Sequence, residues 1–173
     1  MKTIFLLRHA KSSWDDITLD DFDRPLSHRG IKSCEKIGKF IKKKKIIPEI
    51  VYCSNAIRAK HTWELTNRII KKKENIFFSN ALYMTNLNSF ITFVHKTIDS
   101  FSSLMIVSHN PGIENFALEL IKNKKNKFYD NISMKYPTAA LAIILFDEKK
   151  WSNIKIGTGK IIDFIKPRDL RSM

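Results

Sequence analysis

Apolar residues fall along this chain in two alternating patterns. Thr3 to Leu7 is apolar at nearly every position, which predicts a strand covered on both faces. Ile50 to Cys53 and Leu104 to Val107 read the same way, Ala139 to Phe146 reads as a longer buried strand, and Ile76 to Phe78 as a short one. Between these runs the spacing becomes helical. Ile31, Cys34, Ile37 and Ile41 share one face, with Ser27 as N-cap, a lysine run at the C-terminal end and Pro48 closing the unit. Ala59, Trp63, Thr66 and Ile70 share a face within Ser54 to Ile70, and Asn88 to Ile98 reads as helix. Ile113, Phe116, Ala117, Leu120 and Ile121 fit a core-facing helix, with Asn110 as N-cap and Pro111 as its first residue. Ile154 to Ile156 is expected to pair beside the Ala139–Phe146 strand, and polar, acidic Lys11 to Pro25 to form a loop. Strands alternating with helices predict an α/β fold with a largely parallel central sheet covered on both faces. No repeat, linker or composition break divides the chain, so residues 1–173 read as one domain.

Composition adds charge to this picture. Lys+Arg number 31 against 17 Asp+Glu, a formal charge of +14. Such an excess suits nucleic acid, an anionic membrane surface or a phosphorylated substrate. Much of it lies in the runs Lys42 to Lys45, Lys71 to Lys73 and Lys122 to Lys127, which read as solvated helix ends. No segment approaches the ~20 apolar residues of a membrane span, and the N-terminal apolar run is too short for a signal-peptide core. Cys34 and Cys53 make no disulfide framework. A cytoplasmic protein with no membrane partner is the expectation.

Three strand ends carry candidate chemistry. The first strand stops at Arg8-His9, the second runs into Arg58 in the next helix's first turn, and the third runs into His109 before a helix start. Ligands of open α/β sheets bind outside the carboxyl ends of the strands, so these four side chains are expected at one rim. A lone strand-end arginine is usually solvated, and a lone histidine beside it is usually structural. Together, two arginines and two histidines suit a tetrahedral phosphoryl group. Guanidinium forks grip phosphate oxygens, and neutral imidazole is a competent nucleophile for phosphorus.

The ordered set "LLRHAKS", "DRPLSHRG", "CSNAIRAKHT" and "SHNPG" resembles the histidine phosphatase superfamily, and more narrowly its SixA-type phosphohistidine phosphatases. "PTAALAII" and the closing "IKPRDL" are similar to the small bacterial SixA-like group. The resemblance implies a three-layer α/β/α sandwich, phosphoglycerate mutase-like. It implies His9 as the nucleophile that carries the phosphoryl group, with Arg8, Arg58 and His109 around the phosphate and Arg24 as a further pocket arginine. It also implies no metal and no organic cofactor, and a phosphorylated protein substrate such as a histidine-containing phosphotransfer domain in signal transduction.

The chain departs from many superfamily members in one respect. Asn80 to Phe90, where they carry an acidic general acid, holds no Asp or Glu. An alkoxide leaves badly without a proton donor. The nitrogen of a phosphoramidate is more basic and takes a proton from solvent or a neighbour. The sequence therefore favours phosphohistidine over a small phosphomonoester or nucleotide.

Other candidates are weaker. Cys53 and Arg58 are one residue short of the C-x5-R loop of cysteine phosphatases. Asp15, Asp16, Asp20, Asp21 and Asp23 lack a Ca²⁺-loop pattern and read as a solvated rim with local ion pairs, though one of them could reach the pocket as a substitute acid. His28, His61 and His95 have no partner at metal-ligand spacing, Trp14 is expected near the pocket mouth, and Lys11 and Arg29 flank pocket residues. A basic nucleic-acid-binding module is the reading from a different class. It lacks any helix-turn-helix, zinc finger or interleaved aromatics, so no nucleic-acid partner is expected.

Overall fold

A computed structural model describes residues 1–170. Six strands form one sheet: β1 (Lys2–Arg8), β2 (Ile50–Ser54), β3 (Ile76–Ser79), β4 (Ser103–Ser108), β5 (Leu141–Phe146) and β6 (Lys160–Ile165). Their order is β3-β2-β4-β1-β5-β6. The first four run parallel, with β1 paired to β4, β4 to β2 and β2 to β3. β5 is antiparallel to both β1 and β6, so β6 runs in the direction of β1.

Five helices cover the sheet: α1 (His28–Lys44), α2 (Ile57–Ile70), α3 (Leu87–His95), α4 (Gly112–Leu120) and α5 (Lys127–Met134). The period-two alternation of β1 explains the layering. Ile4 and Leu6 join Phe90, Phe116 and Ile132 in one core, against α3, α4 and α5. Phe5 and Leu7 join Ile37, Ile41 and Trp63 in the other, against α1 and α2. Each such side chain taken fully from water stabilises the fold by about 1.5–3 kcal/mol. This is the expected three-layer α/β/α arrangement.

Local signals explain most boundaries. The Ser27 hydroxyl accepts from the Gly30 N–H, capping α1, and Lys45 ends that helix in the left-handed region at φ 56°. Two expectations need correction. Asn110 does not cap α4: the Asn110–Pro111 bond is cis and the helix starts at Gly112. Ile154 to Ile156 is not a strand; a 3₁₀ turn at Trp151–Asn153 precedes it, and β6 pairs with β5 instead. β6 buries Ile161, Phe164 and Ile165 and exposes Lys160 and Ile162, an edge-strand pattern broken by a register shift at Ile143/Ile144. One helix has no counterpart in the sequence reading: the polar stretch after α4 leads into α5. Asn126 caps α5 by accepting from the Phe128 and Tyr129 N–H groups, and Ile132 anchors it in the core.

Candidate active site

The carboxyl ends of β1, β2 and β4 converge as the sequence predicts. The turn after β1 is held by backbone bonds. His9 N–H donates to the Ser108 carbonyl at 2.9 Å, and Ala139 N–H donates to the carbonyls of Arg8 at 3.1 Å and His9 at 3.0 Å. Ala10 N–H donates to the Thr62 hydroxyl at 2.9 Å, which itself donates to the Arg58 carbonyl at 2.6 Å. That pair of bonds ties the residue after His9 to the first turn of α2. Gly30 permits the approach of α1: a Cβ there would lie 2.3 Å from the Lys11 carbonyl oxygen.

His9 is buried, and its Nδ1 lies 2.7 Å from the Ala10 carbonyl. A carbonyl only accepts, so Nδ1 carries the proton and Nε2 presents a lone pair. Arg58 Nε donates toward that Nε2 at 3.4 Å. The His109 ring stands 4.9 Å from the His9 ring, with its Nε2 2.8 Å from the Ser54 hydroxyl. Arg8 donates from one terminal nitrogen to the Tyr136 carbonyl at 2.7 Å. Arg8 Nε and His109 Nδ1 are buried without a hydrogen-bond partner. The Arg8 Nε–H is a buried donor, costly unless something accepts from it, and an oxyanion would do so.

Burial pushes the His9 imidazole down to about 3; the bond to Ala10 opposes this and the charges of Arg58 and Arg8 reinforce it. His109 is also pushed down to about 3, by burial, then by His9 and Arg58. Both rings are neutral at physiological pH, the state a nucleophilic imidazole requires.

Arg24 sits farther out. Its guanidinium stacks 3.2 Å over the exposed Trp14 ring, two of its nitrogens are buried without a partner, and its charge acts on Asp21. No hydrogen bond joins it to His9, Arg58 or His109 among the described residues. Trp14 is exposed and serves as a shelf for Arg24. Lys11 and Arg29 are exposed, and Lys11 contributes its carbonyl, which accepts from Ser27 N–H at 2.8 Å.

The aspartate loop does reach the pocket. Asp21 accepts from Arg58 through its carboxylate at 2.9 Å and again through its backbone carbonyl, and Tyr83 O–H donates to the same carboxylate oxygen at 2.7 Å. Partial burial pushes the Asp21 carboxyl up, but the Tyr83 bond and the Arg58 charge outweigh it and hold the group below the usual range. Sequence reasoning missed Tyr83, whose ring meets His109 edge-on at 5.3 Å, and Ser54. Ser54 ends a buried strand one turn before Arg58, a readable signal. Tyr83 carries none, since tyrosine in a loop is ordinary. Cys53 is fully buried and its thiol is pushed up by burial, so it lies outside this chemistry. His95 bonds the Ile154 carbonyl at 2.9 Å, away from the pocket. No cluster of three metal-ligating side chains occurs among the described residues.

Comparison with known proteins places this geometry in a family. Residues 4–76 match the histidine phosphatase superfamily (branch 1). The chain is 30% identical over 168 residues to ML1117 of Mycobacterium leprae (strain TN), covering 94% of this chain and all of that one, 100%. Its fold superposes on SixA from Agrobacterium tumefaciens with a TM-score of 0.81, at 23% identity, over 96% of this chain and 98% of that one. The protein histidine phosphatase SixA complexed with tungstate gives a TM-score of 0.80 at 20% identity, over 98% and 99% of the two chains. The chain belongs to the histidine phosphatase superfamily, and its fold is that of the SixA structures.

Proposed function

We propose that this protein is a phosphohistidine phosphatase that works through a phosphohistidine intermediate on His9. One observation carries the reading: His9 is fixed as the tautomer with a free Nε2 and sits beside Arg58 and His109 at a rim with unpartnered buried donors. The Nε2 lone pair attacks phosphorus in line, the substrate's P–N bond breaks, and the departing imidazole takes a proton from water. Water then attacks the phosphoryl group on His9, the P–Nε2 bond breaks, and inorganic phosphate leaves. Arg8, Arg58 and His109 spread over the equatorial oxygens, with Arg24 entering from the mouth. That a SixA of the same fold takes up tungstate, a tetrahedral oxyanion, supports the phosphate role of this rim.

The leaving group favours a protein-borne phosphohistidine, such as that of a phosphotransfer domain. Asn80 to Phe90 holds no acid. Asp21, the carboxylate nearest Arg58, is kept ionised by its partners and is a poor proton donor. An ester substrate needs such a donor.

The test compares a phosphohistidine protein with p-nitrophenyl phosphate, metal chelated, for wild type and His9→Ala. The expected result is preference for phosphohistidine and near-complete loss in the variant. Activity within about tenfold of wild type in His9→Ala contradicts the nucleophile. Faster ester cleavage that Asp21→Asn abolishes would instead assign the reaction to a phosphomonoester, with Asp21 as its acid.

A further inference from the structure

The lysine runs play no part in the chemistry above, yet the topology gathers them. One end of the sheet collects the starts of β1, β2, β3, β4 and β6 and the end of β5. The catalytic residues lie at the other end. Residues 42–45 lead from the last turn of α1 toward β2, and residues 71–73 join α2 to β3. Residues 122–127 follow α4, where Lys122 N–H donates to the Gly159 carbonyl beside β6 at 2.8 Å. All three runs therefore stand at the non-catalytic end, and Lys149 and Lys150 join them after β5. The aspartates of residues 15–23 stand at the catalytic end, where Asp21 meets Arg58. Of the acids at the basic end, Glu49 is occupied by the Ser102 N–H at 2.6 Å.

Apolar features accompany this charge. A cavity of about 630 Å³ opens at the basic end, walled by Ile121, Phe128, Leu145 and Ile161 and edged by Lys122, Lys127, Lys160 and Asp147. Ile98 is 65% exposed where α3 leads to β4; exposed Ile47 and Ile156 lie in the connections before β2 and β6. A phosphodiester backbone would use the lysines and leave the aliphatic groups wet. An anionic bilayer uses both, because lysines meet headgroup phosphates while aliphatic side chains enter the interface.

We propose that the basic end docks on the surface of an anionic phospholipid bilayer, leaving the active site facing the aqueous phase. No helix among the described residues is long and apolar enough to cross a membrane, so the contact is peripheral. It runs against the expectation of no membrane partner.

Vesicle flotation tests it, using phosphatidylcholine alone and with about one-third phosphatidylglycerol. Wild type should float only with the anionic vesicles and release near about 0.5 M salt. Each surface lysine is worth about fivefold in membrane affinity. Lys122→Glu/Lys124→Glu/Lys125→Glu should thus lose about a hundredfold or more. Lys135→Glu/Lys166→Glu/Arg168→Glu, the same charge change at the catalytic end, should stay within about threefold. Ile98→Gln should cost about tenfold at low salt. All seven positions are exposed or partly exposed, so folding is preserved. Equal loss in the two triple variants would reduce the effect to net charge and overturn the proposal. So would an absence of vesicle binding, including the case where the protein instead retards a DNA duplex through the same lysines.

Discussion

Two neutral imidazoles buried side by side make the fold sensitive to mild acid. An unfolded histidine titrates near about 6.5, whereas His9 and His109 in the folded chain are held down to about 3. Between these values the unfolded state binds protons that the folded state refuses. Stability is therefore full above the unfolded value, falls as pH drops through about 6.5 toward 3, and stops falling below the folded value. Each histidine costs about 2 kcal/mol between pH 7 and pH 5. Part of the His109 depression comes from His9, so the two together cost about 3 kcal/mol rather than the full sum. For a chain of this size that is a fall in Tm of about 6–12 °C. Asp21 works in a different window: its depressed carboxyl contributes stability above the ordinary value near about 4, lost only at lower pH. Urea midpoints at pH 7 and pH 5 measure the effect. His9→Asn keeps a donor for the Ala10 carbonyl and His109→Gln keeps a partner for Ser54. Each should remove about half of the pH slope. A wild type equally stable at both pH values, or variants with the full slope, would refute the reasoning.

Three further outcomes follow from single contacts. Arg58→Ala should lower kcat by about 10²–10³; steady-state kinetics beside a melting curve separates this loss from any change in stability. Gly30→Ala sets a methyl 2.3 Å from the Lys11 carbonyl oxygen, and should destabilise by about 1–3 kcal/mol, read from the urea midpoint. Iodoacetamide should leave native activity intact and label both cysteines only on unfolding. Cys34 and Cys53 are fully buried, and burial pushes the Cys34 thiol up to about 12 and raises that of Cys53 as well.

Much of this was legible in the sequence wherever burial was two-sided. Continuous apolar runs marked β1, β2, β4 and β5, and the residues beyond three of them marked the rim. The pattern weakened where burial was one-sided. β6 buries only Ile161, Phe164 and Ile165 among interspersed polar and exposed positions, and α5 is anchored chiefly by Ile132 behind a lysine-rich approach, so local polarity masked both. Arg8, His9, Arg58 and His109 came together because each lies at a strand end or in the turn and helix start that directly follow one. Arg24 and Asp21 come from a loop whose path depends on tertiary contacts with Trp14 and Tyr83, which no periodicity encodes.

Ala139 sits in the left-handed region at φ 58°, and its single amide hydrogen is shared between the carbonyls of Arg8 and His9. That proton cannot exchange with solvent unless the turn carrying the candidate nucleophile lets go. Its deuterium exchange rate would thus be a native clock for active-site opening, readable without substrate, label or mutation.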